Sequence, residues 1–332
     1  MSDKTGEDRE PENTSACFWA VRHGDLQALQ RARSRGCAWD TSICTEAAKG
    51  GHLHILQWAR QHQCPWDEET CAQAARYGHL HILQWAHQHQ CPWEASACAW
   101  AARGGHFHIL QWLRQNQCPW DTETCSGAAQ GGHLHILQWA REHQCPWDKQ
   151  TCYYAAQSGR LEVLQWARAQ GCPWDVSLYA FAAWRGHLHI IQWARQHQCP
   201  WDDRLCAHAA SAGQLEVLRW AHSNGCSLQT SNGCSLQTIG FIDSGKHQIC
   251  EYLVECNFPF RTEYLKNNFC IARQEWINEV RLGIFQQCLT KYPDLISPEE
   301  LETFSTVLRN IHVGLSLFIR QPDMCNSILS YL

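Results

Sequence analysis

The sequence carries little charge and has no long hydrophobic run. Only 18% of its 332 residues are charged, and 27 Lys+Arg against 32 Asp+Glu give a formal net charge of −5. An acidic balance disfavours a protein that binds phosphate backbones, so we expect no nucleic-acid partner. No apolar run reaches the roughly 18 residues that a membrane span needs, so we also expect no membrane association.

The beginning of the chain lacks the apolar segment of a secretory signal. It reads MSDKTGEDREPENTSA, which is polar and acidic. We therefore expect residues 1–14 to be a disordered tail and the protein to be intracellular, in the cytoplasm or alternatively the nucleus. Because intracellular thiols stay reduced, we expect the 21 cysteines to be thiols rather than disulfides.

Cysteine, histidine and tryptophan are abundant, at 21, 20 and 18 residues. A disulfide scaffold, a metal protein or a repeat containing all three could explain this. Glycine recurs at intervals of 27 residues from Gly24 to Gly213, and two tryptophan columns with the same interval hold 14 of the 18 tryptophans. Two cysteine columns follow, one of which has Tyr179 in a single slot. The composition is therefore that of one repeated unit.

The repeat array is expected to span residues 15–260. A ninth, degenerate copy begins at Gly245, and before it the octamer SNGCSLQT occurs twice in tandem over 223–238. We expect this duplication to form a bulging loop.

One unit, residues 67–93, predicts two short helices. Asp67 suits an N-cap whose carboxylate accepts free amides of the first turn. The first helix presents Cys71 and the pair Ala74-Ala75, Gly78 permits a turn, and the second helix ends before Pro92. Two such helices cannot bury their apolar faces alone, so units must stack. The predicted fold is an all-α solenoid of helix-turn-helix repeats.

These residues resemble the ankyrin-repeat family. Cys71 falls on the family's core leucine, Ala74-Ala75 on its alanine pair, and Gly78-His79-Leu80 on its Gly-His-Leu. Departures are a unit six residues short, in the region of the family's β-hairpin finger, and tryptophan in the second helix. The short unit with Cys-Pro-Trp is similar to divergent ankyrin arrays of large DNA viruses and some protists. Cys91 falls on the alanine of the family's Gly-Ala-Asp, and most copies have Gln in place of the glycine before it, in a position that favours left-handed backbone.

Residues 261–332 lose the repeat but retain helical patterns, with a capping box at 297–300. We interpret them as a helical C-terminal cap of the array. The alternative is a docking module, which would make the chain a substrate adaptor for a ubiquitin-ligase-type machine.

Metal binding is a less favoured alternative. Cys64, Cys71, His79 and His81 recur together and are zinc-ligand types, but C-x6-C is not a zinc-knuckle spacing. Tyr179 fills one ligand column without disturbing its repeat. We therefore expect no metal, no cofactor and no disulfide ladder.

Catalysis has no support in the sequence, since each candidate histidine is a repeat column and no nucleophile elbow, P-loop or H-E-x-x-H is present. We expect no enzyme and no catalytic residue. One histidine ladder is interpreted as a solvated helix face; it comprises His54, His81, His108, His135 and His189. A second histidine column at the start of the second helices predicts lower stability as the pH falls through about 6.5.

With metal binding and catalysis disfavoured, the sequence favours recognition of a partner protein. The columns that vary between repeats lie on the first helix, at positions that in ankyrin arrays line the concave face, and several hold aromatic or arginine side chains, which are typical of binding hot spots. The candidate partner-binding residues are Glu46, Gln73, Tyr77, Trp100, Arg103, Tyr153, Tyr154, Phe181, Trp184, Arg185 and His208. We expect a monomeric scaffold that binds a partner protein of unknown identity there.

Overall fold

The computed structural model describes residues 13–228 and 247–256. Residues up to Cys226 belong to one compact unit, and Ser227 begins a second. In the first unit, helices come in pairs that we call first and second helices. The first helices are α1 (Asn13–Arg22), α3 (Thr41–Lys49), α5 (Glu68–Arg76), α7 (Ala95–Gly104), α9 (Thr122–Gly131), α11 (Lys149–Gln157), α13 (Ser177–Trp184) and α15 (Arg204–Ser211). The second helices are α2 (Leu26–Ser34), α4 (Leu53–Gln61), α6 (Leu80–Gln88), α8 (Phe107–Gln115), α10 (Leu134–Glu142), α12 (Leu161–Ala169), α14 (Leu188–Gln196) and α16 (Leu215–Ser223).

The array is all-helical and built from stacked helix pairs, as the sequence predicts. Each first helix contacts the next first helix and its own second helix. In the two described ranges the chain forms helices, turns and bends but no strand, so the shortened unit joins one pair to the next by a bare loop. The described helices are eight to ten residues long, and none of them could cross a membrane.

Small residues allow the first helices to approach closely. Ala74 and Ala75, and their equivalents in the other repeats, are fully or almost fully buried. At Gly127 in α9, an added Cβ would lie only 2.6 Å from the backbone oxygen of Ala99 in α7. The predicted role of the alanine pair in close helix contact is confirmed.

Most turns between paired helices are interlocked with a histidine of the next repeat, and two turns face an arginine or a glutamine there instead. Gly51 has a φ of +77°, and a Cβ there would lie 2.7 Å from Cε1 of His79. His79 Nε2 in turn donates to the Lys49 carbonyl at 3.1 Å. Glycine is therefore required here for two reasons: it adopts the left-handed backbone conformation, and a Cβ would occupy the space that the imidazole fills.

The second helices bury an aliphatic stripe but leave their tryptophans half-buried. In α10 the buried side chains are Ile136, Leu137 and Ala140. Trp139 lies against Phe107 and Trp120 of the preceding repeat, with ring centroids 5.5 and 5.8 Å away. It therefore lies between repeats and is half-buried, and its ring also contacts His143 at the end of its own helix.

The predicted aspartate caps form at most repeats. The carboxylates of Asp40, Asp121 and Asp148 accept the backbone N–H two residues on. Asp67 is a correction: it stands at the N-cap of α5, yet its side chain makes no capping hydrogen bond, and its Oδ1 is buried without a partner in the structure.

The two cysteine columns meet inside each repeat. Cys71 of α5 is hydrogen-bonded through its side chain to Cys91, twenty residues on, and this hydrogen bond and burial raise the pKa of the Cys91 thiol. Equivalent pairs are Cys44 with Cys64, Cys98 with Cys118, Cys125 with Cys145, Cys152 with Cys172, and Cys206 with Cys226. In the odd repeat, Tyr179 is buried and its hydroxyl donates to the Cys199 carbonyl at 3.1 Å.

The expectation of thiols throughout is wrong at the first pair. Cys17 and Cys37 are joined in a disulfide, with their Cα atoms 6.5 Å apart. The physical reason is the same meeting of the two cysteine columns, which places Cys17 beside Cys37. The other cysteines whose side chains the structure describes are not joined in disulfides.

The second compact unit contributes one described helix, α17 (His247–Glu255). It begins two residues and ends ten residues after Gly245, as each second helix does relative to the turn glycine before it. Residues 1–12 of the predicted tail, most of the octamer duplication (229–238) and the whole of the predicted cap or docking module (261–332) lie outside the described residues.

Candidate functional site

Two columns on the first helices form one surface. Because side chains three apart share a helix face, each first helix contributes a pair of neighbouring positions. One column holds Trp19, Glu46, Gln73, Trp100, Gly127, Tyr154, Phe181 and His208. The other holds Arg22, Lys49, Arg76, Arg103, Gln130, Gln157, Trp184 and Ser211. We call these two columns, with Tyr77 and Arg185 at the ends of α5 and α13, the first-helix surface.

The exposed large hydrophobic side chains of the described residues all belong to first helices or the residue that caps one. They are Phe18, Trp19, Tyr77, Phe181 and Trp184, with exposures from 36% to 55%. By contrast, the tryptophans of the second helices and of the loops are half-buried. Apolar exposure is therefore confined to one side of the repeated unit.

The partner-binding residues predicted from the sequence leave out three exposed residues of α1. Trp19 and Arg22 lie 27 residues before Glu46 and Lys49, and both are exposed, as is Phe18 beside them. The signal was available, because counting one unit back from the variable columns reaches α1.

Arginine and tryptophan stack together in the middle of the surface. The guanidinium carbon of Arg76 lies 4.3 Å from the ring centroid of Trp100, and that of Arg103 lies 5.0 Å from it. Arg76 also lies 5.4 Å from the Tyr77 ring. Half-buried Trp100 thus holds two cations of adjacent helices beside exposed Tyr77.

The aromatic cluster of α11 and α13 is partly internal. Tyr153 is only 9% exposed; its ring lies 5.5 Å from that of Phe181 and its hydroxyl donates to Asp175 at 2.6 Å. Lys149 also bonds Asp175, at 3.0 Å. Tyr153 therefore packs between adjacent helices and supports Phe181, whose ring remains 37% exposed, with Trp184 beyond it at 52%.

The remaining candidates differ in accessibility. Gln73 is buried, with its amide donating to Glu69 at 2.6 Å, and Glu46 accepts from Lys49 at 3.3 Å. Tyr154 and His208 are half-buried, while Arg185 is exposed. Gln73 and Tyr153 serve packing within the array, and the other candidates are accessible at least in part.

The second helices carry a different arginine–tryptophan arrangement. Arg60 lies 4.2 Å from the Trp66 ring centroid and donates to the Cys64 carbonyl. Arg33, Arg114, Arg141 and Arg168 repeat both contacts. These arginines hold the loop after the second helix in place. A crevice of about 430 Å³ lies beside Arg60, between Trp66 and Trp85.

The proposed zinc ligands are not brought together as a set. Cys71 faces Cys91 rather than Cys64, His79 faces the Lys49 carbonyl, and His81 is exposed, like the rest of its solvated ladder. Among the described residues there is no group of three or more potential metal ligands.

Comparison with known proteins shows a likeness of fold alone. No protein-family model and no curated protein sequence matches the chain. Among solved structures, the crystal structure of the human ASB11 ankyrin repeat domain matches at 15% identity with a TM-score of 0.38, over 50% of this chain and 85% of that one.

Proposed function

We propose that the first-helix surface binds a partner protein and that the chain is an interaction scaffold without catalytic activity. The observation that carries this proposal is the confinement of exposed large hydrophobic side chains to first helices and their ends. Exposed apolar side chains that share one side of a protein mark interaction sites when they form a patch, as Phe181 and Trp184 do on α13.

The variation between repeats supports the same surface. Columns that hold the array together are copied with little change, namely the alanine pair, the turn glycine and the paired cysteines. The first-helix columns instead change from Trp to Glu, Tyr or Phe, and only the glycine of Gly127 is explained by close helix packing. Aromatic and arginine side chains at such positions are typical binding hot spots.

The test compares partner capture by variants of the full chain. Phe181→Ala and Trp184→Ala remove exposed rings, so each should fold as the wild type does, and at least one should weaken binding of a captured partner by about 1–2 kcal/mol, or roughly five- to thirtyfold. His135→Ala, on the exposed face of a second helix, is the matched control and should bind normally. Retention of wild-type affinity by both ring variants for every captured partner would contradict the proposal.

A further inference from the structure

The first-helix surface carries a charge opposite to that of the chain. From α1 to α7, the last turns present Arg22, Lys49, Arg76 and Arg103, one cation per repeat at intervals of 27 residues. In the two columns of the surface the one acidic residue is Glu46, and Lys49 already bonds it. A positive row thus lies on a protein of formal net charge −5.

Two of these cations have no anionic partner in the described part of the chain. Arg76 and Arg103 contact aromatic rings, and the ion pairs of the described residues are Lys49–Glu46, Lys149–Asp175 and Arg204–Asp202. Both guanidinium groups lie on Trp100, which places them less than about 10 Å apart. Second-helix arginines such as Arg60 differ, because they donate to a backbone carbonyl.

We propose that the partner segment bound by this basic row is an acidic peptide, rich in Asp and Glu, lying across α1 to α7. The inference rests on the proposed function and names the chemistry of its partner. Guanidinium groups bind carboxylates through paired, charge-assisted hydrogen bonds, and the indole of Trp100 holds them oriented for it. Exposed Trp19 and Tyr77 would contact apolar side chains between the acids.

The repeat spacing sets the register of the acids. Packed helices lie about 8–10 Å apart, so four cations span about 25–30 Å. An extended peptide rises about 3.3 Å per residue, so about nine residues cover the row. One acidic residue in every three would therefore meet one cation per repeat.

A random peptide library displayed on phage and selected on the purified full chain tests this. We expect enriched peptides to carry Asp or Glu at intervals of about three residues. Arg103→Glu should weaken the best synthetic peptide about tenfold, since it replaces one charge-assisted contact by repulsion. Arg31→Glu makes the same charge change at an exposed position of α2 and should leave the affinity within about twofold.

Several outcomes would overturn the acidic partner. Enrichment of neutral or basic peptides that depend on Trp184 but not on Arg103 would overturn it while leaving the proposed function intact. Equal weakening by Arg31→Glu and Arg103→Glu would reduce the effect to attraction by net charge. A gain in affinity on deletion of residues 1–12 would assign the row to the chain's own acidic tail. Absence of any enriched peptide would overturn the linear acidic ligand, and the capture experiment would still decide the proposed function.

Discussion

At the scale of single residues, backbone conformation is set by repeat position rather than by residue preference. Gln63, Gln90, Gln117, Gln144 and Gln198 all have φ between 60° and 64°. Gly36, Gly171 and Gly225 hold the same position, and a Cβ on any of them would meet no atom within 4 Å. The left-handed backbone that the resemblance implies at this position is confirmed, and strain rather than crowding is its cost.

This strain predicts a stabilising substitution. Gln117→Gly should raise the free energy of unfolding by up to about 1 kcal/mol, because glycine adopts positive φ without steric cost. The converse change, Gly171→Gln, should lower it by a similar amount. Urea unfolding of the wild type and of both variants measures these two changes in the free energy of unfolding. Equal shifts of the same sign would contradict the argument.

At the scale of elements, the second helices are joined to the preceding repeat through their N-cap histidines. Nε2 of His79, His106 and His187 donates to a carbonyl thirty residues earlier, at 3.0–3.1 Å. Burial lowers the pKa of His79, His133 and His187, and neighbouring histidines such as His81 lower that of His79 further. The predicted direction is thus supported, but burial is a larger cause than the histidine column.

These histidines predict a loss of stability in acid. Their folded pKa lies below the unfolded value of about 6.5, so the unfolded chain binds more protons as the pH falls below that value. The stability is present at neutral pH and is lost on acidification, so the urea midpoint should be lower at pH 5.5 than at pH 7.5.

The control separates these histidines from other titrating groups. His79→Gln should reduce the difference between the two midpoints, whereas His62→Gln, at an exposed position at the end of α4, should leave it unchanged. An unchanged difference in the His79 variant would exclude this histidine as a source of the pH dependence.

At the scale of the repeat array, stability comes from contacts between neighbours. Each first helix contacts the next, and Trp139 reaches Phe107 and Trp120 of the repeat before it. Loss of one such contact should therefore loosen adjacent repeats first.

Trp139→Ala should cost about 1–3 kcal/mol, less than the roughly 3–5 kcal/mol of a fully buried tryptophan, because its ring is half-buried. Its thermal transition should also broaden as neighbouring repeats melt early. Trp184→Ala removes an exposed ring, so its cost should stay within about 0.5 kcal/mol. Similar melting of the two variants would mean that Trp184 also packs between repeats.

Whatever repeats every 27 residues was predictable from the sequence. The paired helices, the alanine contacts and the glycine turns follow from one unit that must stack to bury its apolar face. The candidate surface was predictable in outline for the same reason, since variable columns stand out against copied ones. Trp19 and Arg22 belonged to those columns as well.

Which equivalent side chains are buried and which remain exposed depends on contacts that form only in the folded array. Tyr153 and Phe181 are aromatic residues on adjacent first helices, yet Tyr153 is buried with its hydroxyl bonded to Asp175 while Phe181 stays exposed. Arg60 and Arg76 both stack on aromatic rings, but one reaches a backbone carbonyl and the other does not. A periodic sequence fixes which positions are equivalent. Contacts between repeats, which depend on neighbours in space, determine which of them remain accessible to a partner.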